Sequence, residues 1–182
     1  MSKVLVILAP GFEEIEAVTI IDLLRRVSIE VVIAGLEKES VTGSHSISIN
    51  CDVYYTDVKI DDYDFLILPG GQPGTNNLKD NSTIIDWLQK FKTENKQIAA
   101  ICAAPLVLKK ASIIENINIT SYPAEKSNFP SDYYVEKNVV KDKNVITSRG
   151  VGTAIEFALE LVNTIKGKKI RDELASKILW ND

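Results

Sequence analysis

Histidine is nearly absent from this sequence: His45 stands alone among 182 residues. Cysteine-dependent amide hydrolysis normally needs an imidazole to take the thiol proton and return it to the leaving amine. His45 lies in a polar stretch, Thr42-Gly43-Ser44-His45, and is expected at the surface. A protease, amidase or glutaminase is therefore disfavoured. Cysteine is almost as sparse. Cys51 and Cys102 make no disulfide framework, and no Cys/His cluster has metal-ligand spacing, so neither metal nor cofactor is expected. Cys51, between Asn50 and Asp52, has no evident activator and reads as structural. Long apolar runs are missing too, so no membrane span is expected. The apolar run after Met1-Ser2-Lys3 is too short for a signal peptide, and the expected setting is cytoplasmic and reduced. The net charge of -4 leaves no basic footprint for nucleic acid.

What the sequence has is a regular alternation of strand-like and helix-like segments. Val4–Leu8, Glu30–Ala34, Phe65–Leu68, Gln97–Ile101 and Val145–Thr147 are short apolar runs, as expected of parallel strands covered on both faces. Between them lie helical patterns. One follows Glu13, Glu14 and Glu16 and carries Ala17, Val18, Ile21 and Leu24 to Arg25 and Arg26; another spans 82–94. Residues 41–56 alternate and predict a short antiparallel excursion. Short strands are predicted around Asn118–Ser121 and Tyr133–Val140. Thr153-Ala-Ile-Glu156 is a capping-box pattern opening a helix to Ile165, and 168–179 forms one more helix. The prediction is one α/β domain over 1–182: a mostly parallel, doubly wound, flavodoxin-like sheet with an extra C-terminal helix, its site at the carboxyl ends of the strands.

Several breaks in the pattern fall at those ends. The run Gln97-Ile-Ala-Ala-Ile101 leads straight into Cys102, and Pro105 follows just inside a new helix, where its missing N–H costs nothing. Such an elbow holds a side chain at the top of a sheet, beside a helix N-terminus that favours thiolate. A small buried hydrophobe is the other reading of Cys102. Glu16 can point back toward the sulfur; a protonated Glu16 donating to a thiolate would be a pair sharing one proton. Glu13 and Glu14 read as solvated carboxylates at a helix start. Gly70 and Gly71 can present N–H groups to a ligand and, with the N–H of Ala103, form an oxyanion hole; an ordinary turn is the alternative. Ser148-Arg149-Gly150-Val151-Gly152 lacks the phosphate-loop pattern and reads as a structural turn.

Four segments in order carry a resemblance that runs nearly end to end: Val4–Leu8 with Gly11–Glu16, Leu68–Gly71 with Asn77-Leu78, Ala99–Pro105, and Thr147–Thr153 with Glu156–Leu159. The chain resembles the DJ-one/ThiJ/PfpI superfamily, most closely its parkinsonism-associated DJ-one clade. The resemblance implies that Cys102 is an oxidation-sensitive nucleophile and Glu16 the carboxylic acid bonded to it. Gly71 and Ala103 would supply backbone N–H groups. Arg26 and His45 fall where members carry arginines near the dimer interface and cysteine pocket, so His45 is a departure. Gly70, Tyr122, Ser148 and Arg149 are further pocket or interface candidates. A homodimer is implied, with a C-terminal helix partly covering the site.

Two departures bear on activity. Members credited with glyoxalase activity usually carry histidine where this chain has Tyr122, and the protease-like branch has histidine where it has Ala103. The resemblance therefore implies a stress-protective protein with at most weak, cofactor-free glyoxalase or deglycase chemistry on small aldehydes. The alternative is a redox sensor or chaperone acting through oxidation of Cys102.

Overall fold

The structure is a computed structural model and describes residues 2–180. Seven strands form one sheet in the order β5-β2-β1-β6-β7-β9-β8: β1 (Lys3–Leu8), β2 (Glu30–Gly35), β5 (Val53–Tyr54), β6 (Phe65–Leu68), β7 (Gln97–Ile101), β8 (Val139–Asp142) and β9 (Val145–Ser148). Every neighbouring pair is parallel except β8 with β9. β3 (Ser40–Thr42) and β4 (Ser48–Asn50) form a separate antiparallel pair.

The apolar runs become central strands because both faces of the sheet are covered. Val4, Val6 and Leu8 enter one core layer with α1 (Glu14–Arg26), α5 (Ala154–Lys166) and α6 (Lys168–Lys177). Leu5 and Ile7 enter the other, with α3 (Ser82–Thr93) and α4 (Pro105–Lys110). Strand order reverses beside β1: the chain runs outward from β1 to β2, then returns on the other side through β6, β7 and β9. Loops leaving adjacent strands part at such a reversal and leave a crevice at their carboxyl ends.

The differences from the sequence reading lie outside this frame. Residues 41–56 do not form one excursion, since Val53–Tyr54 leaves it to pair in parallel with β2. Around Asn118–Ser121 and Tyr133 there is a single bridge, Ile119 to Tyr134, between short 3-10 turns at Pro123–Asn128 and Ser131–Tyr133. Pro123 and Pro130 each remove a ladder donor there. The strand begins only at Val139. A short helix, α2 (Gly74–Lys79), follows β6 without an apolar period to announce it. The Thr153 capping box does not form: Thr153 Oγ1 bonds back to Gly150 and to Ser148 Oγ, while Glu156 accepts from Asn138. The last helix stops at Lys177, short of Leu179 with its left-handed φ of 57°.

Candidate functional site

Cys102 directly follows β7 and sits in the left-handed region, with φ 64°. A non-glycine residue rarely sits there, and does so when its surroundings fix it. Here the fixing is visible: the Cys102 N–H donates to Ser148 O at 3.0 Å, and its carbonyl accepts from the Tyr122 N–H at 2.7 Å. Pro105 opens α4 directly afterward. Ser148 itself is fully buried, its hydroxyl bonded to Asn138 O and to Thr153 Oγ1, so it supports the elbow rather than lining the crevice.

Glu16 lies in the first turn of α1 and is completely buried. Its Oε2 accepts from the Gly70 N–H at 2.9 Å. Its Oε1 has no hydrogen-bond partner among the described residues, and the carboxyl stands close enough to Cys102 that each group shifts the other's proton affinity. Gly70 cannot carry a side chain: a β-carbon would lie 2.6 Å from Cys102 Cβ and 2.9 Å from Glu16 Oε2. Gly71 has φ 93°, and a β-carbon would lie 2.4 Å from Glu13 N. The expected oxyanion pair is thus divided from Gly70, whose N–H is taken by Glu16, while the N–H groups of Gly71 and Ala103 are directed to the Cys102 sulfur.

Burial raises the Glu16 carboxyl to about 7, against the Gly70 N–H and Cys102, which favour its charged form; Glu13's charge adds a smaller upward push. Burial also raises the Cys102 thiol, and the Glu16 charge pushes it further, to about 12, against the N–H groups of Ala103 and Gly71. The expectation that the helix N-terminus favours thiolate is corrected: α4 is only six residues long, and burial with a nearby carboxylate outweighs it. Both groups cannot be ionised together near neutrality. A thiolate requires that Glu16 hold the proton.

The pair opens into a cleft of about 600 Å³ bordered by Tyr122, Asn138, Arg149 and Gly150. Tyr122 is half exposed and Arg149 partly buried. Arg26 is elsewhere, ten residues down α1 from Glu16 or about 15 Å along the helix. It pairs with Asp22 at 2.6 Å and lines a different groove, with Val18 and Ile155. His45 does not line the cleft either.

The reading of Glu13 and Glu14 as solvated carboxylates is also corrected. Glu13 borders the cleft, and Glu14 is buried. Burial would raise the Glu14 carboxyl, but the His45 ring and backbone N–H groups, those of His45 and Ile47 among them, outweigh it and hold it at about 2. His45 remains at the surface, its side chain 68% exposed, with its proton affinity raised by the bond to Glu14. Cys51 is half-buried, its thiol raised by burial and then by Asp52 to about 11. Sequence reasoning missed Asn138 and Thr153 at the cleft, which no spacing from Cys102 could have signalled.

Residues 2–164 match the family described as DJ-1/PfpI. The chain is 44% identical to Protein dj-1beta of Drosophila melanogaster, over 98% of each chain. It is 36% identical to a Caenorhabditis elegans protein named glutathione-independent glyoxalase DJR-1.2, over 93% of this chain and 92% of that one. The solved structure of oxidized Toxoplasma gondii DJ-1 superposes with a TM-score of 0.97 at 36% identity, covering all of both chains. With family, relatives and fold agreeing over nearly its whole length, this chain belongs to the DJ-1/PfpI family.

Proposed function

We propose that this chain is a stress-protective protein working through Cys102, with weak, cofactor-free glyoxalase or deglycase activity on methylglyoxal, glyoxal or their early adducts. One observation carries the reading: a buried carboxyl with one oxygen left unbonded faces a cysteine sulfur at the floor of an open cleft. The relative named as a glutathione-independent glyoxalase supports it.

The reactive state has the shared proton on Glu16. The Cys102 thiolate adds to the aldehyde carbon of methylglyoxal, and the new alkoxide takes the Glu16 proton, giving a hemithioacetal. The N–H groups of Gly71 and Ala103 steady the charge as it leaves the sulfur for oxygen. Glu16, now a carboxylate, removes the hydrogen from that carbon and returns it to the neighbouring carbonyl carbon, with one proton passing between the two substrate oxygens. The product is a lactoyl thioester. Water hydrolyses it to lactate and restores the pair, so no external oxidant or reductant is consumed. A single carboxyl serves as acid and base in turn. With Tyr122 where a histidine base would stand, turnover stays low.

A second reading is redox sensing, in which oxidation of Cys102 alters contacts with a partner. The accessible cleft favours it equally in its first step, since an oxidant also meets a thiolate. The assembly is a homodimer in this reading, supported by the exposed apolar Ile15 and Val18 on α1, and the setting is cytoplasmic. No helix among the described residues is long and apolar enough to cross a membrane.

The deciding experiment follows lactate from methylglyoxal with purified protein beside Cys102→Ser. Lactate formation that Cys102→Ser abolishes supports the enzyme; equal rates in both proteins overturn it.

A further inference from the structure

We propose that Glu13, Glu14 and His45 form a binding site for a divalent transition cation such as zinc, built where the β3–β4 turn meets the start of α1.

The sequence reading found no metal-ligand spacing because His45 lies 31 positions beyond Glu14, and the fold alone brings it to the adjacent Glu13 and Glu14. One ligand atom from each lies within 4.8 Å of the others. His45 Nδ1 is 2.9 Å from Glu14 Oε2 and 3.6 Å from Glu13 Oε2. Ser44 Oγ completes the ring, at 3.4 Å from Glu13 Oε2, 3.2 Å from Glu14 Oε2 and 3.0 Å from His45 Nδ1. A zinc ion with bonds of about 2.1 Å separates tetrahedral ligand atoms by about 3.4 Å, so these donors already stand near the edges of a coordination shell.

Support behind the ligands points the same way. Glu14 Oε1 accepts from the His45 N–H at 2.6 Å and the Ile47 N–H at 3.4 Å. Those bonds fix the carboxylate plane and leave Oε2 turned toward Glu13 and His45, as outer partners orient a ligating carboxylate. Glu14 is 4% exposed while the His45 side chain is 68% exposed. One ligand is thus anchored in the core and another stands at the surface of the chain. One imidazole and two carboxylates suit zinc, manganese or cobalt rather than a soft monovalent ion. The two carboxylate charges balance a divalent cation, and the proton that His45 Nδ1 shares with Glu14 leaves to solvent on binding.

The test uses the full chain carrying Cys102→Ser, so that this thiol cannot compete. Zinc chloride is titrated calorimetrically into this protein and into the same protein with His45→Asn or Glu13→Gln, both partly exposed ligands whose loss spares the buried Glu14. One zinc per chain is expected, with affinity falling at least tenfold in each variant, the loss typical even for a perturbed outer shell. Because His45 is the only histidine, its ring protons give an independent readout: cobalt should shift them in paramagnetic NMR spectra. Zinc binding unchanged by both substitutions, no binding at millimolar zinc, or ring signals unmoved by cobalt would each overturn the proposal.

Discussion

The Gly70 N–H donates to Glu16 Oε2 at 2.9 Å, and this one bond decides which carboxylate oxygen is free to meet Cys102. It fixes the carboxyl from the β6 side and leaves the other oxygen without a hydrogen-bond partner among the described residues, in a group that interacts with Cys102. If Glu16 moves protons, Glu16→Gln keeps the shape and a hydrogen-bond donor but loses the shuttle. Lactate formation from methylglyoxal should then fall by a factor on the order of a hundred or more, the usual worth of a positioned acid–base group. Peroxide oxidation of Cys102 should fall much less, since it needs only thiolate. Equal loss of both would mean that Glu16 acts through structure alone.

The same burial links Glu16 to stability. Its carboxyl rises from an ordinary 4.5 to about 7 on folding, because the buried charge is penalised. Below about 4.5 folded and unfolded chains both hold the proton. Between about 4.5 and 7 only the folded chain does, so this group's favourable contribution drains away as pH rises through that window. Denaturant titrations from pH 5 to 8 should show stability declining less steeply in Glu16→Gln than in the parent. A steeper decline in the variant would reverse the assigned sign.

Which cysteine oxidises first reports where the pair keeps its proton. Cys51 and Cys102 are both raised by burial, and each as a thiol is inert near neutrality. Cys102 has Glu16 beside it to take its proton and two N–H groups to hold the sulfur's charge; the Cys51 thiol lies 3.8 Å from the Ile49 carbonyl, has the backbone of Val41 alone to favour its charged form, and is pushed further up by the Asp52 charge. Mild peroxide and peptide mass analysis should find sulfinate at Cys102 first. Faster oxidation of Cys51 would place the shared proton on the Cys102 sulfur.

The strands were readable because β1, β6 and β7 are buried on both faces, which leaves continuous apolar runs in the sequence. The elbow was readable because Pro105, directly after a small Ala103-Ala104 pair, marks a helix start at the end of an apolar run. Nothing local could show that the turn at Ser44-His45 folds back on Glu14: that contact depends on a hairpin returning over the start of α1. Helix α2 was equally silent, since Gly74-Thr-Asn-Asn-Leu-Lys79 is too short to show a helical period and follows a proline.

Glycine tolerance separates close approach from open space. A β-carbon at Gly70 would meet Cys102 Cβ, Glu16 Oε2 and the Ile101 carbonyl at 2.6 to 2.9 Å, and the last of these is backbone that cannot swing aside. Gly70→Ala should cost about 1–3 kcal/mol, as overpacking does. At Gly152 a β-carbon meets nothing within 4 Å, so Gly152→Ala should stay within about 0.5 kcal/mol. Chemical denaturation of the two variants checks both, and equal stability would show that the Gly70 loop yields.

The cleft should cleave no peptide bonds. Expelling an amine requires a proton delivered as the bond breaks, and the single imidazole, His45, is tied to Glu14 outside the cleft. Glu16 is the one acid at the sulfur, and it is occupied in holding the proton that lets Cys102 be a thiolate at all. An aldehyde asks less: its alkoxide takes that same proton, and no leaving group needs a second one. Incubation with casein or simple amide substrates should therefore release no more product than a Cys102→Ser control. Proteolysis that depends on Cys102 would show that Glu16 can serve both demands, and that the missing histidine is no barrier.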